Sequence, residues 1–143
     1  MINKMLVYRL DYMDLGRYRN EIIQSLRAKL RQPLRDEDAA WAAIEAKANS
    51  FAQGPGRLLF DDLVYSLALI YADQTGLLPG FSNSDNETLF ERFAYCVIKY
   101  VAPMTTQNQL KYAIRKIDPK HSAQFRHDLE FIAGERRHRF SAE

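Results

Sequence analysis

Three aspartates on one strongly apolar segment are the acidic side chains with the most potential for chemistry in this 143-residue chain. Asp61, Asp62 and Asp73 fall in a predicted helix over 58–74, where an acid near buried surface costs free energy unless it is paired or bound to a ligand. Carboxylates also bind divalent cations. The first two, however, come in the first helical turn, where the helix dipole stabilises acids, and Asp73 lies about three turns further on. We therefore predict no metal site, and a metal-dependent enzyme is the third hypothesis for function.

The histidines and the single cysteine form no catalytic constellation. The histidines are His121, His127 and His138, and none stands three or four residues from another, so no helix face presents two imidazoles to zinc. His127 and Glu130 lie one turn apart, which suits either proton transfer or a stabilising surface pair. Cys96, in an apolar stretch, is expected to be a buried small hydrophobe. We predict no catalytic residue and no cofactor.

The elements that must position these side chains are helices separated by proline, which cannot continue a helix interior. The five prolines are Pro33, Pro55, Pro79, Pro103 and Pro119. Between them, apolar residues recur at steps of three and four, as from Leu15 to Leu30. The segments 58–74 and 86–102 are the most apolar and are predicted to be central. Residues 1–143 are thus predicted to form one all-α domain, a bundle of five to six helices around two apolar central helices. A short strand near Leu6–Tyr12 is the alternative for the N-terminus, and residues 135–143 are expected to be a basic tail that frays.

Several residues mark the expected helix ends. Asp36 opens an acidic group that suits the start of the second helix, and Gly76 is placed to end the central helix in a left-handed cap. Ser84 and Glu87 have the spacing of a capping box, which predicts the start of the fourth helix. Thr105 or Thr106 is a candidate cap for the fifth.

The formal net charge of +2 hides a strong asymmetry along the chain. Residues 1–35 carry eight basic and three acidic side chains, net +5; residues 36–98 carry three and ten, net −7; residues 99–143 carry nine and five, net +4. If the chain ends meet, as they often do, the basic segments form one positive face. The alternative is that they only neutralise the acidic middle. The candidate binding residues are Arg17, Arg27, Arg31, Lys111, Arg115, Lys116, Arg136, Arg137 and Arg139.

These features favour a small module that binds another protein and has no chemistry of its own. The positive indications are the uneven charge and eight tyrosines, a residue type favoured at interfaces; homodimerisation is a further possibility. The second hypothesis is nucleic-acid binding by the basic ends. The longest apolar run, Leu63–Ala72, is half of the roughly 20 residues that a membrane span needs. With one cysteine and no signal segment, we expect a cytoplasmic protein without a membrane partner.

Overall fold

The computed structural model describes residues 15–30, 32–52, 59–80, 87–117 and 123–142, with the side chains of Ala52 and of residues 135–142 left out. A single 3₁₀ turn, Leu15–Tyr18, precedes six α-helices: α1 (Arg19–Leu30), α2 (Glu37–Ala52), α3 (Phe60–Thr75), α4 (Leu89–Val101), α5 (Gln107–Ile117) and α6 (Ala123–Ala142). No strand occurs within these ranges. The prediction of an all-α bundle is therefore confirmed, whereas the strand considered near Leu6–Tyr12 lies outside the described residues.

Helix α3 is the centre of the bundle, because α2, α4, α5 and α6 all pack against it. Its inner side chains include Leu63, Val64 and Leu67, each fully buried. The helix ends at Gly76, whose φ of 74° is left-handed and whose N–H donates to the Ala72 carbonyl. A side chain would be strained in that conformation. Both the central position of this helix and its glycine cap are as the sequence predicts.

Helices α2 and α3 form an antiparallel hairpin that contacts at both ends. The Asp36 N–H, just before α2, donates to Gln74 Oε1 at the end of α3 over 2.7 Å. At the opposite end, the rings of Phe51 and Phe60 meet edge to face at 6.4 Å. The Asp36 carboxylate caps α2 by accepting the Ala39 N–H at 3.1 Å, which confirms the predicted start of this helix.

Helix α4 brings the aromatic core together but begins later than predicted. The rings of Phe90 and Phe93 lie 5.3 Å and 5.5 Å from that of Tyr71 on α3. The capping box expected at Ser84 and Glu87 is wrong as the start of this helix.

The actual N-cap of α4 is Thr88, whose side chain accepts the Glu91 N–H at 3.1 Å. Glu87 precedes the helix, and Ser84 lies outside the described residues. Thr88 and Glu91 repeat the capping spacing four residues further on, directly before the first buried residue, Phe90. The N-cap is therefore the residue adjacent to the buried face of α4.

The two C-terminal helices pack on α3 in opposite directions. Helix α5 starts with a reciprocal cap, in which the Gln109 N–H donates to Thr106 Oγ1 and the Thr106 N–H donates to Gln109 Oε1. It ends near the beginning of α3, and α6 then runs along α3 in parallel. In the bundle, α1 packs against α2 and α4. Helices α5 and α6 both pack against α3. None of the described helices combines the length and apolar character that crossing a bilayer requires.

Candidate functional site

The nine candidate basic residues are distributed over three regions of the molecule. Arg17 lies exposed in the 3₁₀ turn and Arg27 exposed on α1, while Lys111, Arg115 and Lys116 lie on α5. Arg31 lies outside the described residues. Arg136, Arg137 and Arg139 belong to α6, and their side chains also lie outside the described part. Two helices therefore carry three of the nine each, and α5 is the one whose basic side chains the structure describes.

The cations of α1 contact the acidic start of α2. Arg27 donates through Nε and Nη2 to the two carboxylate oxygens of Glu37, each over 2.6 Å, which is the bidentate geometry that guanidinium favours. This hydrogen bonding lowers the pKa of Glu37 and raises the pKa of Arg27. Arg19 forms a second ion pair with Asp38. Arg19 and Arg27 of α1 thus form ion pairs that link α1 to α2.

Helix α5 is divided into a buried side and a basic outer side. Its buried residues are Leu110, Ala113, Ile114 and Ile117. The outer side, which we call the α5 face, consists of Asn108, Lys111, Tyr112, Arg115 and Lys116; all are exposed except Lys111, which is half-buried. At 100° per residue they cover an arc of about 140°. The helix has no acidic residue of its own, so every charged residue of the α5 face is basic.

Tyr112 and Lys116 lie at the edge of the α5 face that borders α3, where an acid of α3 joins them. The Lys116 ammonium lies 4.6 Å from the centre of the Tyr112 ring, within the range of a cation–π contact. The same Nζ donates to Asp61 Oδ2 over 2.8 Å, and this hydrogen bond raises the pKa of Lys116. Tyr112 remains 64% exposed. Asp61 and the exposed Tyr112 ring therefore both contact the Lys116 ammonium group.

The structure separates the three aspartates singled out in the sequence. Asp61 binds Lys116, and Asp62 is exposed in the same turn. Asp73 lies near the other end of α3, roughly 18 Å further along the helix axis. Among the residues that the structure describes, no three His, Cys, Asp or Glu side chains are grouped so that they could hold a metal ion. His127 and Glu130 are both exposed on α6.

A polar cluster that sequence reasoning missed joins α3 to α6. The Tyr65 hydroxyl donates to Asp128 Oδ2, and Gln124 Nε2 donates to Asp128 Oδ1 over 2.8 Å. Burial and this hydrogen bond raise the pKa of Tyr65 to about 12, and the bond lowers the pKa of Asp128. Tyr65 is therefore kept protonated and serves as a donor between helices. The spacing of Gln124 and Asp128, four residues apart, is the one local signal of this cluster.

A second tyrosine joins α4 to α1. The Tyr100 hydroxyl donates to Glu21 Oε2 over 2.9 Å, and its ring stacks on Tyr18 with centroids 4.7 Å apart. Burial raises the pKa of Tyr100, and the hydrogen bond to Glu21 adds to the effect. Unlike Tyr112, this tyrosine is engaged inside the fold.

Comparison of the chain with protein-family models, curated proteins and solved structures gives no match. Function must therefore be inferred from the residues of this chain, of which the α5 face contains three candidate basic side chains that the structure describes.

Proposed function

We propose that this chain is a non-catalytic module that binds an acidic, partly apolar segment of a partner protein through the α5 face. One observation carries the proposal. A single helix carries Lys111, Arg115 and Lys116 on the same outer side as the exposed ring of Tyr112 and has no acid of its own.

Tyrosine and arginine support a protein interface because they are over-represented among the residues that dominate binding energy. Tyr112 offers a large ring with few rotatable bonds, so little conformational entropy is lost when a partner covers it. Lys116 is already held by Asp61 and the ring. A side chain ordered before binding costs less to immobilise in a complex. The α5 face thus combines an aromatic contact with positive charge that would select an acidic partner.

The distribution of charge favours a protein over a nucleic acid. Affinity for nucleic acid grows with the number of phosphates that cations contact. Arg19 and Arg27, however, each pair with an acid of the same chain and lie outside the α5 face. The net charge of +2 also gives little long-range attraction for a polyanion. Nucleic-acid binding remains the alternative, with Arg136, Arg137 and Arg139 as its contributing residues.

Fluorescence anisotropy with defined probes tests the proposal. The probes are a labelled acidic peptide that alternates glutamate with leucine and phenylalanine, a peptide with glutamine for glutamate, and a single-stranded oligonucleotide of equal charge. We expect the acidic peptide to bind most tightly. The double variant Lys111→Gln/Arg115→Gln should weaken its binding by roughly tenfold or more, since two charged contacts are lost.

A charge-matched variant provides the control. Arg19→Gln/Arg27→Gln removes the same two positive charges but from the α1–α2 contact, and we expect its peptide affinity to stay within about twofold of wild type. Equal weakening by the two double variants would mean that only net charge matters and would contradict the proposal. Tighter binding of the oligonucleotide, with a salt dependence that falls in Arg136→Ala/Arg137→Ala/Arg139→Ala, would favour the nucleic-acid alternative.

Two further parts of the hypothesis concern oligomeric state and compartment. A second copy is a poor partner for the α5 face itself, because like charges would oppose each other across a two-fold axis; a homodimer would have to form elsewhere, which sedimentation at several concentrations tests. We also propose a reducing, cytoplasmic location. The support is the cysteine usage, because Cys96 is the single cysteine of the sequence and is a buried free thiol.

A further inference from the structure

A cavity of about 180 Å³ opens between the C-terminal end of α3 and α6, at the opposite end of α3 from Asp61. Its apolar wall consists of Ala72, Leu77, Leu78, Leu129 and Ala133. Leu77 and Leu78, which follow the glycine cap of α3, are 41% and 53% exposed. Apolar surface is thus open to solvent at a concave site, which is the usual form of a small-molecule site.

One cation, Arg35, lines this cavity, and its backbone is hydrogen-bonded to the end of α3. The Arg35 N–H donates to the Gln74 carbonyl over 3.0 Å, and the next residue, Asp36, donates its N–H to Gln74 Oε1 over 2.7 Å. Gln32 Nε2 donates to the Thr75 carbonyl over 3.0 Å. Residues 32–36 are therefore held against the end of α3, which fixes the backbone position from which the Arg35 side chain extends.

The Arg35 guanidinium forms no ion pair with a carboxylate in the portion of the chain that the structure describes. The position of Arg35 beside an apolar wall suits a ligand that has both an anionic and an apolar end. Guanidinium binds carboxylate with two parallel hydrogen bonds, which adds orientation to affinity. Asp73 lines the same cavity, and its charge repels any ligand carboxylate that does not contact Arg35, which disfavours a dicarboxylate.

We propose that this cavity binds a small monocarboxylate with an apolar body, whose carboxylate contacts Arg35 and whose body lies against Leu78, Leu129 and Ala133. The size is consistent, because an apolar cavity of about 150 Å³ admits a benzene ring. A branched chain of five or six carbons or a phenyl group therefore fits. This site is separate from the α5 face, so the two proposals stand or fail independently.

Titration of the full chain by NMR of leucine methyl groups tests the site. The probes are isocaproate, its uncharged isostere isocaproamide, and a dicarboxylate of similar size. We expect isocaproate to give saturable shifts at Leu77, Leu78 and Leu129. We expect the amide and the dicarboxylate to bind at least roughly tenfold more weakly, since each lacks or disturbs the charged contact.

Two variants separate the roles of charge and space. Arg35→Gln should weaken isocaproate binding by roughly tenfold or more, whereas the matched control Arg19→Gln should leave it unchanged. Ala133→Leu, which fills the cavity, should also reduce binding, and circular dichroism confirms that each variant is folded. The proposal is overturned if the amide binds as well as the acid, if Arg35→Gln has no effect, or if shifts do not saturate at about 10 mM ligand.

Discussion

Helices α1 and α5 have the same numbers of buried residues and of basic residues, yet the outer sides of the two helices make different contacts. Each buries four residues and carries three cations, which are Arg19, Arg27 and Lys29 on α1 and Lys111, Arg115 and Lys116 on α5. On α1, two of the three cations bind acids at the start of α2. On α5, Lys116 reaches Asp61 beside the open ring of Tyr112.

This difference shows that a count of cations does not reveal which of them pair with an acid on a neighbouring helix. The position of acids on the neighbouring helix decides it. Helix α2 begins with Glu37 and Asp38, and both are reached from α1. Helix α1 also has an acid of its own, Glu21, which accepts the Tyr100 hydroxyl. Helix α5 has no acidic residue. We therefore expect α1 and α5 to contribute alike to the core and to differ in the contacts of their outer sides.

The largest expected effect concerns the buried sides, where the two helices should be equivalent. Leu26 on α1 and Ile114 on α5 are 0% and 2% exposed. Leu26→Ala and Ile114→Ala should each lower the free energy of unfolding by about 2–5 kcal/mol, because each leaves a cavity in the core. Urea denaturation measures both losses. A loss below about 1 kcal/mol in either variant would mean that its helix is not part of the common core, and the comparison would fail.

The equivalence of the buried sides is also what sequence alone could predict. Apolar residues at steps of three and four identify Leu26 and Ile114 as inward-facing without any structure. Helix ends were less certain, because capping signals recur. Ser84 and Glu87 have the same spacing as Thr88 and Glu91, and only the packing of Phe90 selects the second pair.

The outer sides were less predictable than the core. The sequence identifies Lys111, Arg115 and Lys116 as one group on a helix, since their spacing is local. It does not show that Arg27 reaches Glu37, because that contact depends on how two helices cross. For the same reason the bond from Tyr65 to Asp128, separated by 63 residues, has no sequence signal beyond the spacing of Gln124 and Asp128.

The next effect concerns the ion pair that fastens α1 to α2. Because the hydrogen bond from Arg27 lowers the pKa of Glu37 in the folded chain, the pair stabilises the fold above the unfolded-state pKa of glutamate, about 4.3. This contribution is lost as the pH falls through the lower folded-state pKa. Arg27→Gln should therefore lower Tm by no more than a few degrees near neutral pH, and the difference should shrink in acid.

Thermal unfolding followed by circular dichroism between acid and neutral pH measures this difference. As a control, adding Glu37→Gln to Arg27→Gln should cause little further loss, because the two residues act as a pair. High salt should also reduce the difference between wild type and Arg27→Gln. If that difference stays the same at every pH, then Arg27 stabilises α1 by packing alone.

A smaller effect distinguishes the tyrosines of the two regions. Tetranitromethane nitrates the phenolate form of tyrosine. Burial of the ring and a raised pKa of the hydroxyl therefore both slow the reaction. Tyr112 is 64% exposed, whereas burial and Glu21 raise the pKa of Tyr100. Mass spectrometry of digested protein should find Tyr112 nitrated several-fold faster than Tyr100. Glu21→Gln should speed the reaction at Tyr100 and leave Tyr112 unchanged; equal rates in the wild type would contradict the distinction.

The smallest expected effect on stability is that of Tyr112→Ala. The ring is mostly exposed and its removal opens no core cavity, so the free energy of unfolding should change by less than about 0.5 kcal/mol. Alanine also has the higher helix propensity, which offsets the lost contact with Lys116. Urea denaturation measures the change, with Ile114→Ala on the same helix as the reference for a structural residue. A large loss in Tyr112→Ala would mean that the ring supports the fold as Tyr100 does. A small loss combined with weaker peptide binding would separate recognition from folding on the α5 face, since the residue would then contribute to the complex and not to the core.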